Sequence, residues 1–423
     1  MGSTRRTFQA MLNEYLPNSL LKEELLKRDY ILSNCKKDNS WKGGKLIVPF
    51  KGAGASSIRM GKLTASSDIS EDLYIRGSID DYKEAWGSMI FNHRDLIDHS
   101  GRVNEDSFLK ILPDTIEDFM DAFKMTVSIQ LGTGPNFAKV VTAGTAAGVV
   151  TVDRIDRFCI NQKISVAAPG AAAGTATDFY VLSIDINTDQ ITLSATRGGA
   201  PTSAAALAVG DLIYTDDADE VSFQSMRDAY LSAANGGSAT LHGQTKITYP
   251  FLQAVNIDGS SWTRSNVLGR LFDGYNEVRK KARGKATKII CDFTVGSAIM
   301  AAIENGGGTN GYRGNYNVNM KNRKASLYGW DEIMLTTVKG DLTVVMIQEW
   351  DPDIVVYHDP MSCTFRTNGY FKKRKNPEGH EFYEIRTEDG YQYIVDMCLF
   401  GEMEHTKPGN NGIVYGIDPA NFA

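Results

Sequence analysis

Residues 138–219 constrain the fold of this 423-residue chain most, because they are chemically unlike what surrounds them. The stretch holds 17 alanines, no Met and no Trp, and no Glu occurs between Glu117 and Glu220. Its five basic residues (Lys139, Arg154, Arg157, Lys163, Arg197) and nine aspartates give a net −4, out of −6 for the whole chain. Short apolar runs at Val149–Val152, Phe179–Ile184, Ile191–Ser194 and Val209–Tyr214 are separated by Gly, Pro, Asn and Asp, which is strand-and-turn patterning. The stretch predicts a small all-β domain inserted between two pieces of an α+β domain, so the flanks must find each other across it. Within it, Asp185-Ile-Asn187-Thr-Asp189 has the first ligand spacings of a calcium loop. The sixth position is Gln190 instead of Gly and the twelfth Thr196 instead of Glu, so a hairpin turn at Asn187-Thr188 explains it better.

The flanks read differently. Residues 113–131 form the clearest helix: Pro113 suits the first position, Asp114, Glu117 and Asp118 suit the positive end, and Ile116, Phe119, Met120, Phe123 and Val127 make one apolar stripe. Gly132 ends it after about 28 Å at 1.5 Å per residue. Near the N-terminus, Phe8, Met11, Leu12, Tyr15 and Leu16 have helical spacing until Pro17. This amphipathic piece is too short to fold alone. Residues 46–79 predict a long hairpin with too few apolar side chains to bury itself, which is either a floppy loop or an arm that becomes ordered on another subunit. Beyond 219, helices are predicted beginning with Phe223, Met226 and Tyr230, after Ser265, and over 295–304. A strand runs over 288–293, and the apolar Leu342–Ile347 predicts a strand central in its sheet. Late strands follow at 365–371, 382–385 and 391–395.

The search for chemistry is nearly empty. The six histidines form no His-Glu-X-X-His pair, and there is no Cys-X-X-Cys, so no metal site is expected. Gly61-Lys62 is followed by Leu63, with Ala55 where the first glycine of a phosphate loop belongs. Gly306–Gly308 lacks dinucleotide spacing and reads as a loop. No catalytic residue and no cofactor is predicted. Five scattered cysteines read as reduced thiols in an intracellular setting. No apolar run nears the roughly 18 residues of a membrane span, and no secretory signal precedes the first helix. The pI near 5.6 argues against a protein that coats DNA through a basic surface. Two basic clusters stand out. Arg279–Lys285 reads as a solvated helix end, and Lys372–Lys375 as a solvated hairpin tip or a contact with an acidic partner.

This order of parts resembles the tailed-bacteriophage major capsid protein (coat protein) family, whose fold is shared with encapsulins and the herpesvirus capsid floor. The resemblance covers most of the chain as an order of elements, with no sharp motif. It implies an N-terminal arm (1–45), an extended loop (46–79), a peripheral domain in two parts (80–137 with the spine helix 113–131, and 346–408) and an axial domain (220–345). The all-β insertion (138–219) and a C-terminal tail (409–423) complete it. It implies a non-enzymatic subunit that self-assembles through hexamers and pentamers into an icosahedral virion head around packaged double-stranded DNA, bound without sequence specificity. Assembly would take place in the host cytoplasm, away from membranes. Portal and decoration proteins are implied partners. Met1 leads within a few residues into the arm, so a scaffolding protein acting in trans is expected. In such a shell Phe8 and Leu12 of the arm would contact another subunit, as would Lys372 and Lys373. Arg59 and Lys62 of the loop would meet acidic groups of a neighbour, with Glu402 and Glu404 as candidates. Some members crosslink Lys to Asn; Lys62 lies in the right loop, without identified partners.

Alternatives of other kinds are an encapsulin-type cargo shell, a decoration or adhesin protein using 138–219 as its binding module, and an α/β enzyme with a β appendage. The last needs a convergent cluster of titratable residues, and the sequence offers none.

Overall fold

The computed structural model describes residues 2–422 except 20–21, 24, 26–28, 42–43, 52–73, 93–104, 170–175, 216–221, 283–285, 305–316, 319–323, 326–329, 338–339, 368–371 and 388–389. Arg59, Lys62, the Gly61-Lys62 pair and Gly306–Gly308 lie outside the described residues.

Strand formation late in the chain organises the first half of the body. Gly390–His405 is a sixteen-residue strand. On one side it pairs antiparallel with Lys83–Asn92, in register from Gln392↔Asn92 to Gly401↔Lys83. On the other it takes Tyr383–Thr387, Lys372–Lys373 and Cys363–Arg366 in turn, and Lys36–Asp38 adds in parallel to the last. The alternation buries Met89, Phe91, Tyr393, Val395 and Met397, as a pleated strand with one covered face requires.

The long helix Glu105–Gly132 lies against this sheet. It begins eight residues before Pro113, so Pro113 sits inside the helix and does not start it. Pro removes one internal hydrogen bond, and Leu112, Met120, Phe123, Val127 and Leu131 bury a stripe against the core that keeps the helix continuous. Two glycines allow close approach. A Cβ on Gly87 would lie 2.9 Å from the Phe119 ring, and one on Gly132 would lie 2.7 Å from Trp350.

Directly after the helix, six strands close into a barrel in the order Leu212–Thr215, Asn136–Thr142, Val149–Val152, Gln190–Ser194, Thr177–Asp185, Lys163–Ala167. The barrel has its own core, to which the long helix contributes Ile129. The 185–189 segment is a hairpin turn: Asp185 accepts from the Asn187 amide (3.0 Å) and the Thr188 hydroxyl (2.8 Å), and Asp189 takes φ +52°. That occupies the carboxylate which calcium would need.

A second, eight-stranded sheet runs Val255–Asp258, Gly412–Tyr415, Val355–His358, Lys288–Cys291, Gly340–Ile347, Trp330–Thr337, Asn317–Val318, with Lys324–Ala325 also on Trp330–Thr337. Gly340–Ile347 is interior, as its apolar run predicts. Its side chains alternate between two cores: Val345 and Ile347 face the main core, while Val344 and Met346 face one shared with the helices Val267–Ala282 and Phe293–Glu304. The segment 409–423, expected as a C-terminal tail, holds a strand. Gly412–Tyr415 is a buried strand between two others, and Phe422 is 5% exposed.

Candidate assembly contacts

The arm helix Gly2–Tyr15 is covered by its own chain. Phe8 stacks on Tyr393 (4.4 Å between ring centres) and meets Phe382 (5.1 Å) and Phe91 (5.9 Å) edge-on. Phe8 and Leu12, expected at a contact with another subunit, are fully buried within their own chain, on the aromatic face of the sheet built on Gly390–His405. Of the basic run 372–375, Lys372, Arg374 and Lys375 are exposed and Lys373 is not. Lys373 is buried, its Nζ donating to the Leu12 carbonyl (3.2 Å) and pairing with Glu381 (2.5 Å). Its amide donates to Asn18 Oδ1 and the Glu381 amide to Gln9 Oε1, so residues 373–381 clasp the arm at both backbone and side chain. Lys372 stays at the surface, 5.1 Å from the centre of the Phe400 ring.

Glu402 and Glu404, the acidic candidates for a contact between copies, are engaged within the chain. Glu404 is 1% exposed and pairs with Arg366, which also pairs with Asp38. Glu402 accepts from the amides of Gln224 (2.6 Å) and Met403 (2.9 Å), and burial pushes its carboxyl up to about 7 against those hydrogen bonds. Neither side chain faces outward to meet a loop from a neighbour.

The hairpin stem, Leu46–Lys51 paired with Tyr74–Ile79, also rests on its own body. Val48 and Phe50 are fully buried, covered by the body and not by the hairpin itself. Phe50 lies on the His242 ring (5.9 Å, 17° between planes). Two buried histidines, His358 and His405, flank Tyr230 next to it.

A polar seam that sequence reasoning missed ties the barrel to the body. Arg157, 1% exposed, donates to the carbonyls of Phe137 (2.6 Å) and Glu349 (2.5 Å) and pairs with Asp351 (2.9 Å). Arg227 pairs with Asp351 and Asp353, Arg154 donates to the carbonyls of Gln348 and Trp350, and Lys124 pairs with Glu349 (2.6 Å). The sequence signal was two arginines three apart in an otherwise acidic, Ala-rich segment; their partners lie almost two hundred positions away.

Beside the seam is a cleft of about 600 Å³ between the strand Lys83–Asn92, the long helix and the barrel. Trp86, Phe119 and Phe123 line it, with Glu84, Lys163 and Arg374 as its charged side chains. Trp86 is 63% exposed. Among the described residues no group of three or more His, Cys, Asp or Glu side chains could hold a metal ion, and no helix is long and apolar enough to cross a membrane.

Comparison with protein-family models gives no match, and comparison with curated proteins gives none. Among solved structures the chain is similar to the cyanophage A-1(L) capsid asymmetric unit, with 12% identity, 94% of this chain and 92% of that one covered, and a TM-score of 0.42. It is similar to the capsid of Myoviridae phage XM1 at 7% identity, 92% and 91% coverage and a TM-score of 0.37. It is similar also to the holo-SrpI encapsulin of Synechococcus elongatus PCC 7942 at 5% identity, 93% and 89% coverage and a TM-score of 0.38. At these identities no residue's role passes from those chains to this one.

Proposed function

We propose that this chain is a shell subunit, the major capsid protein that builds the icosahedral head of a tailed bacteriophage around double-stranded DNA. The order of parts carries the reading. An N-terminal helix, an extended hairpin, a long helix under a sheet completed by the end of the chain, and a second sheet with two helices follow one another as in the capsid fold. The division into domains is part of the proposal: 1–45 as arm, 46–79 as loop, 80–137 and 346–408 as peripheral domain, 220–345 as axial domain, and 138–219 as an insertion. The strands Val355–His358 and Gly412–Tyr415 pair into the sheet that holds Lys288–Cys291.

In this reading the subunit is not an enzyme. Its partners are copies of itself, with a scaffolding protein and portal during assembly, a decoration protein on the finished shell, and DNA held without sequence specificity. Its place is the virion, after assembly in the host cytoplasm. Arg59 and Lys62 then belong to contacts between copies. Each exposed ion pair there would contribute only about 0–1 kcal/mol, so repeated shape-matched contacts have to hold the shell.

Electron microscopy of the purified chain, alone and with its scaffolding protein, tests this. Closed particles of uniform diameter are expected, with nuclease-protected DNA in particles from the native source. Persistent monomers under both conditions refute the shell, and particles filled with protein cargo instead of DNA move the reading to an encapsulin.

A further inference from the structure

Besides the buried Val48 and Phe50, a short turn of the body bonds to the stem of the hairpin. Thr240–Leu241 pairs with Gln244–Thr245, and the two residues between, His242 and Gly243, both take positive φ (+47° and +76°). This is the geometry of a tight hairpin turn, at which His is one of the few non-glycine residues tolerated. The turn bonds the second strand of the stem at two points: the His242 carbonyl accepts from the Ser78 amide (2.9 Å), and Gln244 Nε2 donates to the Arg76 carbonyl (2.8 Å). Gly77 comes so close that a Cβ there would lie 2.9 Å from the His242 carbonyl oxygen. The His242 ring then reaches past Phe50 into the body, where Nε2 accepts from the backbone amide of His405 (3.0 Å).

We propose that His242 is an acid-operated latch: the uncharged ring fastens the hairpin stem to the long strand, and adding a proton releases it. The chemistry is local. A proton taken from solvent at Nε2 turns the acceptor into a donor aimed at another donor, the His405 amide, so the hydrogen bond is lost and a charge is buried.

Burial, and not a charged neighbour, sets the direction for the His242 ring. On the long strand, His405 lies parallel to it (6.3 Å), its Nδ1 buried without a hydrogen-bond partner among the described residues; Glu404 is turned to Arg366 and Glu402 to two amides. The short helix Met226–Tyr230 supplies Tyr230 and Asp228, and Lys246, just past the turn, donates to the carbonyls of Asp228 and Leu231. His358 and Asp359 stand beyond Tyr230, and on the stem Arg76 is exposed. No carboxylate is paired with the His242 ring. Burial accordingly holds His242 down at about 4. His358 is held there too, by burial, and His405 lies well below its usual range, by burial first and then by His242.

The joined state therefore disfavours the proton. The stem's attachment is complete above the ordinary histidine value of 6.5 and weakens as pH falls toward about 4. Between pH 7 and pH 5 the released state gains about 20-fold from this one group. The inference concerns the chain by itself and does not require the shell.

Hydrogen–deuterium exchange on the full chain tests it. After correction for the intrinsic pH dependence of exchange, amide protection over 46–51 and 74–79 should fall about 20-fold between pH 7 and pH 5 in the wild type. In His242→Asn, which suits the turn but does not titrate, the fall should vanish. An unchanged wild type overturns the latch, and so does an equal fall in the variant, which would move the effect to His358 or His405. Should the variant not fold, exchange at the histidine ring carbon in the wild type decides: a His242 titration midpoint well below 6.5 upholds the latch, and one at or above 6.5 overturns it.

Discussion

Phe8→Ala asks whether the arm belongs to the subunit that carries it. In the structure Phe8 is fully buried among Phe91, Phe382 and Tyr393, all of the same chain. Truncating a buried Phe to Ala costs about 3–5 kcal/mol, from lost transfer energy and the cavity left behind. The three ring contacts account for part of that, at about 0.5–1.5 kcal/mol per pair. The arm helix is only fourteen residues, so it cannot persist once undocked. The loss should thus appear as detachment of 2–16 before the body unfolds. Two measurements on unassembled subunits read it: limited proteolysis of the first twenty residues, and urea unfolding at several protein concentrations. The expected outcome is fast cleavage and a loss of about 3 kcal/mol or more that does not depend on concentration. A loss below about 1 kcal/mol in subunits, together with failure to form shells, would refute same-chain docking and return Phe8 to a neighbour.

That test matters because the arm is where sequence reasoning and structure part most clearly. Helical spacing at Phe8, Leu12 and Leu16 identified an amphipathic helix, but periodicity names a buried face without naming what buries it. The aromatic face that accepts it comes from residues 91, 382 and 393, and such pairing is invisible in a linear pattern. Lys373 went unread for the same reason. Four adjacent cations look solvated until Glu381 and the carbonyl of Leu12 are brought around one of them. Pro113 misled locally, since its preference for a first turn is real but yields to a packed stripe. What was legible were features whose cause is short-range or compositional. These include strand alternation in 136–215, the turn after Asp185, and the interior strand Gly340–Ile347, apolar because both its faces are covered. Of the assembly site little was legible. Glu402 and Glu404 alternate with apolar residues on the long strand and look exposed, yet their carboxylates are consumed by Gln224, Met403 and Arg366.

Three further perturbations follow from particular contacts. Arg157→Ala strips the barrel of its hydrogen bonds to the carbonyl of Glu349 and to Asp351, and should destabilise by about 3–5 kcal/mol, as removal of one buried ionic partner does; thermal unfolding should show the barrel and body separating into two transitions. Gly132→Ala places a Cβ 2.7 Å from the Trp350 ring, which is itself fully buried, and should cost about 1–3 kcal/mol, seen as a lower urea midpoint. Glu402→Gln should do the opposite, and only at high pH. Burial raises this carboxyl from 4.5 to about 7, so the folded state holds the proton more tightly than the unfolded chain. Its stabilising contribution is complete below 4.5 and is lost as pH rises through about 7. Glutamine keeps an oxygen to accept from the Gln224 and Met403 amides and never ionises. The variant should therefore match the wild type at pH 4.5 and exceed it by up to about 3 kcal/mol at pH 8.5, the full value of the shift. Equal stability of the two proteins at pH 8.5 would mean that the ionised carboxylate is already compensated by those two amides, and that burial does not govern this site.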